Sequence, residues 1–194
     1  MAAAAPSPRG LRQHPAIADF SRDEAALRND KFLRLMTPKI VDHPGFDVIG
    51  IEARTNNAKE MSGQGVIGPM WGRLVSEGIL SKVPNRVGDT IYALYTGYAS
   101  DRNGDYDFFV GTQVSSSSSI PAGMVLKRVP AGKYAVITSG KGPGFEVVPK
   151  AWQQVWQLED RMQLDRVYAA DFEIYDERAR NPQDAQVDLY VGLK

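Results

Sequence analysis

Two stretches of this chain are written on one template, and that repeat constrains the fold more than any other feature. Tyr92-Ala93-Leu94-Tyr95 answers Phe172-Glu173-Ile174-Tyr175, and the next segment follows in step, Asp107-Phe108-Phe109-Val110-Gly111 against Asp188-Leu189-Tyr190-Val191-Gly192. Upstream, Val66 to Trp71 lines up with Val147 to Trp152 when one gap is allowed. Earlier still, Lys39, Val41, Phe46, Val48 and Ile49 keep the mutual spacing of Lys127, Val129, Tyr134, Val136 and Ile137. A solenoid stacks several short units, whereas two long copies imply a pseudo-twofold domain. The expectation is an α+β fold of duplicated βαββ units, with an antiparallel sheet, two main helices and a central ligand cleft.

Along the chain, residues 1–36 read as an N-terminal extension, Ala/Pro/Arg-rich at first. Ser21 and Glu24 then form a capping box for a helix that Pro38 stops. Residues 37–194 read as the folded domain, with halves 37–114 and 123–194 joined through the serine run Ser115 to Ser119. Pro44-Gly45 interrupts the first strand region, Ile40 to Glu52, and Arg54 to Gly65 reads as a polar loop. Ile67, Met70, Trp71, Leu74 and Gly78 make one helical stripe, and Val148, Trp152, Val155, Trp156 and Glu159 make another. Strands are expected at Thr90 to Tyr98, Ala170 to Tyr175 and Gln186 to Gly192. The leader is too short for a DNA-reading module with its own core.

Composition excludes several chemistries. Lys+Arg and Asp+Glu balance at 23 each, which gives no basic footprint for nucleic acid, so no direct nucleic-acid binding is expected. The chain has no cysteine, which removes disulfides, thiolate metal sites and cysteine nucleophiles. Its histidines, His14 and His43, are not clustered, and Asp101 to Asp105 departs from a calcium loop at Tyr106 and Thr112. No metal and no cofactor is expected. Ser139 to Gly144 alternates glycines but lacks the Gly-Lys-Ser/Thr of a phosphate loop. With no apolar run near the ~20 residues of a bilayer span, the expected setting is cytoplasmic, away from membranes.

What remains is a carboxylate among aromatics. Strand alternation sends Phe172 and Ile174 to one face and Glu173 and Tyr175 to the other. Extended to the neighbouring strands, the pattern assigns Phe108, Val110, Leu189 and Val191 to the face that meets the helices. The opposite face then collects Ala93, Tyr95, Phe109, Glu173, Tyr175 and Tyr190. Aromatic rings attract a cation by ~0.5–2 kcal/mol each, and a desolvated carboxylate adds the matching charge. Ala93, at the repeat position of Glu173, supplies room. Trp71 and Trp152 read first as packing residues on their helices and second as walls of the same groove.

In order and spacing these motifs resemble the GyrI-like (gyrase-inhibitor-like) effector-binding domain, most closely its stand-alone integron-associated effector-binding branch. The resemblance covers nearly all of Lys39 to Lys194 and rests on several short motifs. They are Pro38-Lys39-Ile40-Val41, the Trp71 and Trp152 helices, Tyr92-Ala93-Leu94-Tyr95 with Tyr98 and Asp101, Phe109-Val110-Gly111, Gly132 to Tyr134, and Asp171 to Tyr175. It implies a cleft that binds cationic or amphipathic aromatic compounds over a key glutamate, here Glu173, so the expected function is a stand-alone small-molecule binding protein. Some relatives resemble hydrolases of strained compounds. The alternative is therefore an enzyme using Glu173 as general acid or base. A protein partner, by kinship with gyrase inhibitors, is a third reading.

Overall fold

The computed structural model describes residues 38–194. The expected extension over residues 1–36, with its capping box and helix, lies outside the described residues. The first half runs β1 (Lys39–His43), β2 (Phe46–Thr55), α1 (Asn57–Met61), α2 (Ile67–Ser76), α3 (Ile79–Lys82), β3 (Arg86–Thr96) and β4 (Tyr106–Val114). The second runs β5 (Val125–Val129), β6 (Gly132–Thr138), α4 (Gly144–Asp160), β7 (Arg166–Tyr175), a 3-10 turn (Glu177–Ala179) and β8 (Asp188–Leu193). The stretch read as a polar loop contains α1 and opens on a cap, because the Asn56 side chain accepts from the Lys59 amide. Among the described residues no helix is long and apolar enough to cross a membrane.

The strands form one antiparallel 8-stranded sheet in the order β1-β6-β8-β7-β3-β4-β2-β5. Exchanging each strand for its repeat equivalent, β1 for β5 through β4 for β8, returns the same order reversed. The repeat is therefore carried into the tertiary structure, with its axis between β3 and β7. There Ala93 stands directly opposite Glu173, flanked by the related pairs Tyr95 with Asp171 and Ile91 with Tyr175. The halves also trade their first strands. Among the described residues β1 pairs only with β6 of the second half, and β5 only with β2 of the first.

That exchange requires curvature. β1 and β2 lie far apart in the sheet yet are joined by Pro44-Gly45, and β5 and β6 are joined by Pro130-Ala131. A flat sheet cannot be spanned by two residues, since each covers at most ~3.6 Å. The sheet curls until the corners touch: a Cβ on Gly45, at φ +75°, would lie 2.6 Å from the Val129 carbonyl oxygen. Among the described residues an apolar cluster lies on each face. Inside the curl, Phe46, Val48, Leu94, Phe109, Val129, Tyr134 and Phe172 are buried together. On the other face, α2 and α3 place Met70, Leu74 and Ile79 over Ile49, Ile51, Phe108 and Val110.

This arrangement corrects the face assignment made from strand alternation. Residues opposite one another in an antiparallel pair share a face, and the register pairs Tyr95 with Phe108, Ala93 with Val110 and Glu173 with Leu189. The Glu173 face is thus the helix face. Phe109 and Tyr190 lie on the other side, within the curl. Phe109 crosses the paired Gly50 and Gly111, where a Cβ on either would come within 2.7 Å of its ring. Tyr190 stacks on Phe172 with ring centroids 4.6 Å apart and planes 13° apart. Alternation could not settle the phase, because both faces of the central strands are buried.

Candidate functional site

Between the helices and the centre of the sheet lies a cavity of about 1100 Å³. This is just above the range usual for small-molecule sites, ~300–1,000 Å³. Glu173, Tyr175, Tyr95, Trp71 and Trp152 border it. Phe109 and Tyr190 do not, for the reason just given, and neither does Ala93. Ala93 is fully buried on the axis opposite Glu173, where its small side chain leaves the space that the glutamate occupies.

Glu173 is 1% exposed. Oε1 accepts from the Tyr95 hydroxyl at 2.8 Å and from Trp152 Nε1 at 2.6 Å, and Oε2 accepts from the Tyr175 hydroxyl at 2.7 Å. These donors are neutral, and among the described residues Glu173 has no ion-pair partner. Burial pushes its pKa above the ordinary carboxylate value, while the three hydrogen bonds pull the other way without cancelling the shift. Burial, reinforced by the negative charge of Glu173, holds the Tyr95 and Tyr175 phenols well above their usual value, so both remain donors.

The repeat builds the walls as well. Tyr175 of the second half packs edge-on against Trp71 of the first, with centroids 4.7 Å apart and planes at 62°. Tyr95 of the first half packs on Trp152 of the second in nearly the same way, at 4.8 Å and 66°. Each helix is tied down at one end. The α2 amides of Val66 and Ile67 donate to the Glu60 carboxylate at 2.9 and 3.3 Å, and Glu60 also accepts from the Thr55 hydroxyl. The far end of α4 is held by Arg102, which donates to the Trp156 carbonyl and to Asp160, and by Arg166, which contacts Glu159.

Beside Glu173 on the same strand, Asp171 forms a second buried polar centre. Its Oδ2 accepts from Arg166 and from the Tyr98 hydroxyl, both at 2.6 Å, and its Oδ1 accepts from the Gly192 amide at 2.8 Å. The Gly192 contact fills a gap where the β7–β8 register shifts between Arg166 and Asp171. Burial works most strongly against the Arg166 charge, but Asp171 and the Tyr98 and Tyr168 hydroxyls together raise the guanidinium pKa. Among the described residues the charge of Asp171 is therefore matched, and that of Glu173 is not.

Sequence reasoning missed Tyr98, Tyr106, Trp156, Phe145 and Arg166 as cavity residues. Tyr106 was lost with the phase of its strand. Trp156 carried a usable signal, since it falls one helical turn after Trp152. Of the calcium-like loop, Asp101 accepts from its own turn at the Asn103 amide and Asp105 accepts from Asn56. No group of three or more metal-ligating side chains occurs among the described residues.

A family model described as Cass2, integron-associated effector binding protein, matches residues 39–193. The chain belongs to this family. YobU of Bacillus subtilis (strain 168), named as a candidate transcriptional regulator protein, is 36% identical over 146 residues, spanning 75% of this chain and 90% of YobU. BrlR of Pseudomonas aeruginosa, named a transcriptional regulator, is 32% identical over 182 residues, spanning 91% of this chain but 62% of BrlR. Among solved structures, the integron cassette protein VCH_CASS2 of Vibrio cholerae superposes with a TM-score of 0.62 at 26% identity, covering 80% of this chain and 95% of that one. SAV2435 bound to tetraphenylphosphonium superposes with a TM-score of 0.61 at 17% identity, covering 81% and 93%, a likeness of fold alone.

Proposed function

We propose that this effector-binding family member captures lipophilic, aromatic cations in the cavity over Glu173. The observation that carries the reading is a buried carboxylate with three neutral donors and, among the described residues, no counter-charge, set in an aromatic-walled cavity. Such a group is costly to keep ionised in an empty site. A cation entering the cavity relieves that cost and gains contact with the ring faces of the walls. SAV2435, a protein of the same fold, was solved bound to tetraphenylphosphonium, and that permanently charged aromatic ligand points the same way. Membership of an effector-binding family supports small-molecule binding in general.

The test uses tetraphenylphosphonium and a neutral triphenyl compound, triphenylphosphine oxide, with the wild type and Glu173→Gln. The substitution is expected to weaken the cation by about tenfold or more while changing the neutral compound little. Equal losses for both would remove the electrostatic part of the reading. A second reading rests on the raised Glu173 pKa, because a carboxyl that exchanges protons closer to neutrality serves as a general acid or base. Mass spectrometry of the bound compound after hours separates the two. An unchanged mass keeps the receptor, and a product one water heavier that disappears with Glu173→Gln assigns a hydrolase.

A further inference from the structure

The cradle around Glu173 is symmetric in all but one respect. Tyr95 and Tyr175 are related by the repeat and each donates to one carboxylate oxygen. Trp71 and Trp152 are related too, and each packs against the other half's tyrosine in nearly the same geometry. Only Trp152 donates to the carboxylate. Oε1 thus receives two hydrogen bonds and Oε2 one. A carboxylate offers about four lone-pair sites, two per oxygen, so among the described residues Oε2 keeps one open acceptor site. That oxygen is the one held by Tyr175, whose ring packs on Trp71 at the cavity wall. The Trp71 Nε1–H has no hydrogen-bond partner among the described residues.

We propose that Glu173 Oε2, on the Trp71 side of the cavity, is a subsite for an N–H donor, so that the preferred ligands are protonated aromatic amines rather than quaternary cations. This deepens the cation reading and rests on it. Charge attraction and aromatic contact treat an ammonium and its quaternary analogue alike. Only the protonated amine can complete the carboxylate with a charge-assisted hydrogen bond. Glu173→Gln tests the geometry without changing its shape. An indole N–H only donates, so the amide oxygen must face Trp152 and Tyr95, and the amide nitrogen then occupies the Oε2 position. The substitution converts an acceptor on the Trp71 side into a donor.

The experiment is calorimetric titration at neutral pH with dimethyl(naphthylmethyl)amine, protonated under these conditions, and with trimethyl(naphthylmethyl)ammonium. Tetraphenylphosphonium, which has no N–H, is the third probe. Wild-type protein should prefer the protonated amine by about tenfold or more, and the preference should fall to about one or below in Glu173→Gln. A wild-type ratio near one overturns the subsite without recourse to any variant. A ratio that survives Glu173→Gln also overturns it, by assigning the preference to the bulk of the extra methyl. Tetraphenylphosphonium keeps the two ideas apart. If its binding weakens in Glu173→Gln while the amine ratio is flat, the subsite alone falls, and if its binding is unchanged the cation reading beneath it falls as well.

Discussion

Glu173 is an ionisable group held in a buried site at a cost to stability. Its pKa is raised in the folded protein, so between the ordinary carboxylate value, ~4.3, and the raised one the folded state binds more protons than the unfolded chain. Stability contributed here is fully present below the unfolded pKa and is lost as pH rises through the folded pKa. Glu173→Gln removes that loss while Tyr95 and Trp152 keep donating to the amide oxygen and the Tyr175 hydroxyl turns to accept from the amide nitrogen. The variant should therefore melt above the wild type at neutral pH, with the gap closing as the pH falls toward the carboxylate range. Thermal unfolding across pH checks this, and a gap independent of pH would show that burial of the charge is not the cause. Cation affinity in the wild type should weaken over the same acid interval, because the ligand needs the ionised form. That Glu173 stands beside Tyr175, with Ala93 at its repeat position, was legible from the residue and its strand neighbours. Its hydrogen bond from Trp152 was not, because nothing in the order of residues says which helix covers which strand.

At the scale of elements, α2 is short and lacks a side-chain cap at Val66, yet it must present Trp71 at a fixed height above the sheet. The cap comes from Glu60 on α1, whose carboxylate receives the first amides of α2. Glu60→Ala should cost about 1–2 kcal/mol, in the range of a lost helix cap. In denaturant titration the midpoint should fall with little change in slope, and amide exchange should rise first in α2. Unaltered exchange in α2 would mean the helix is held by Met70 and Leu74 alone. The amphipathic stripes of both main helices could be read in advance, since the apolar spacing follows the helical period. The phase of the strands could not. Alternation identifies a solvated face by its polar residues, and Phe108 and Phe109 point to opposite faces that are both dry.

For the whole molecule, the exchange of β1 and β5 makes the halves interdependent. A chain of residues 38–117 would leave β1 without β6, β2 without β5, and β3 without β7. Residues 38–117 and 118–194, produced separately, should each fail to unfold cooperatively as a monomer and should regain cooperative unfolding when mixed. Circular dichroism with size-exclusion chromatography checks this, and a cooperatively folded monomer from either piece would contradict the exchange. The sequence by itself determined the duplication, the strand and helix periods, and the carboxylate placed beside aromatics, because these depend on spacing along the chain. Tertiary structure decided the rest. The halves swap their first strands, the curl of the sheet takes Phe109 and Tyr190 away from the cavity, and one tryptophan of a related pair reaches the glutamate. Each of these depends on register and curvature between segments far apart in the chain, where the local order of residues exerts no direct control.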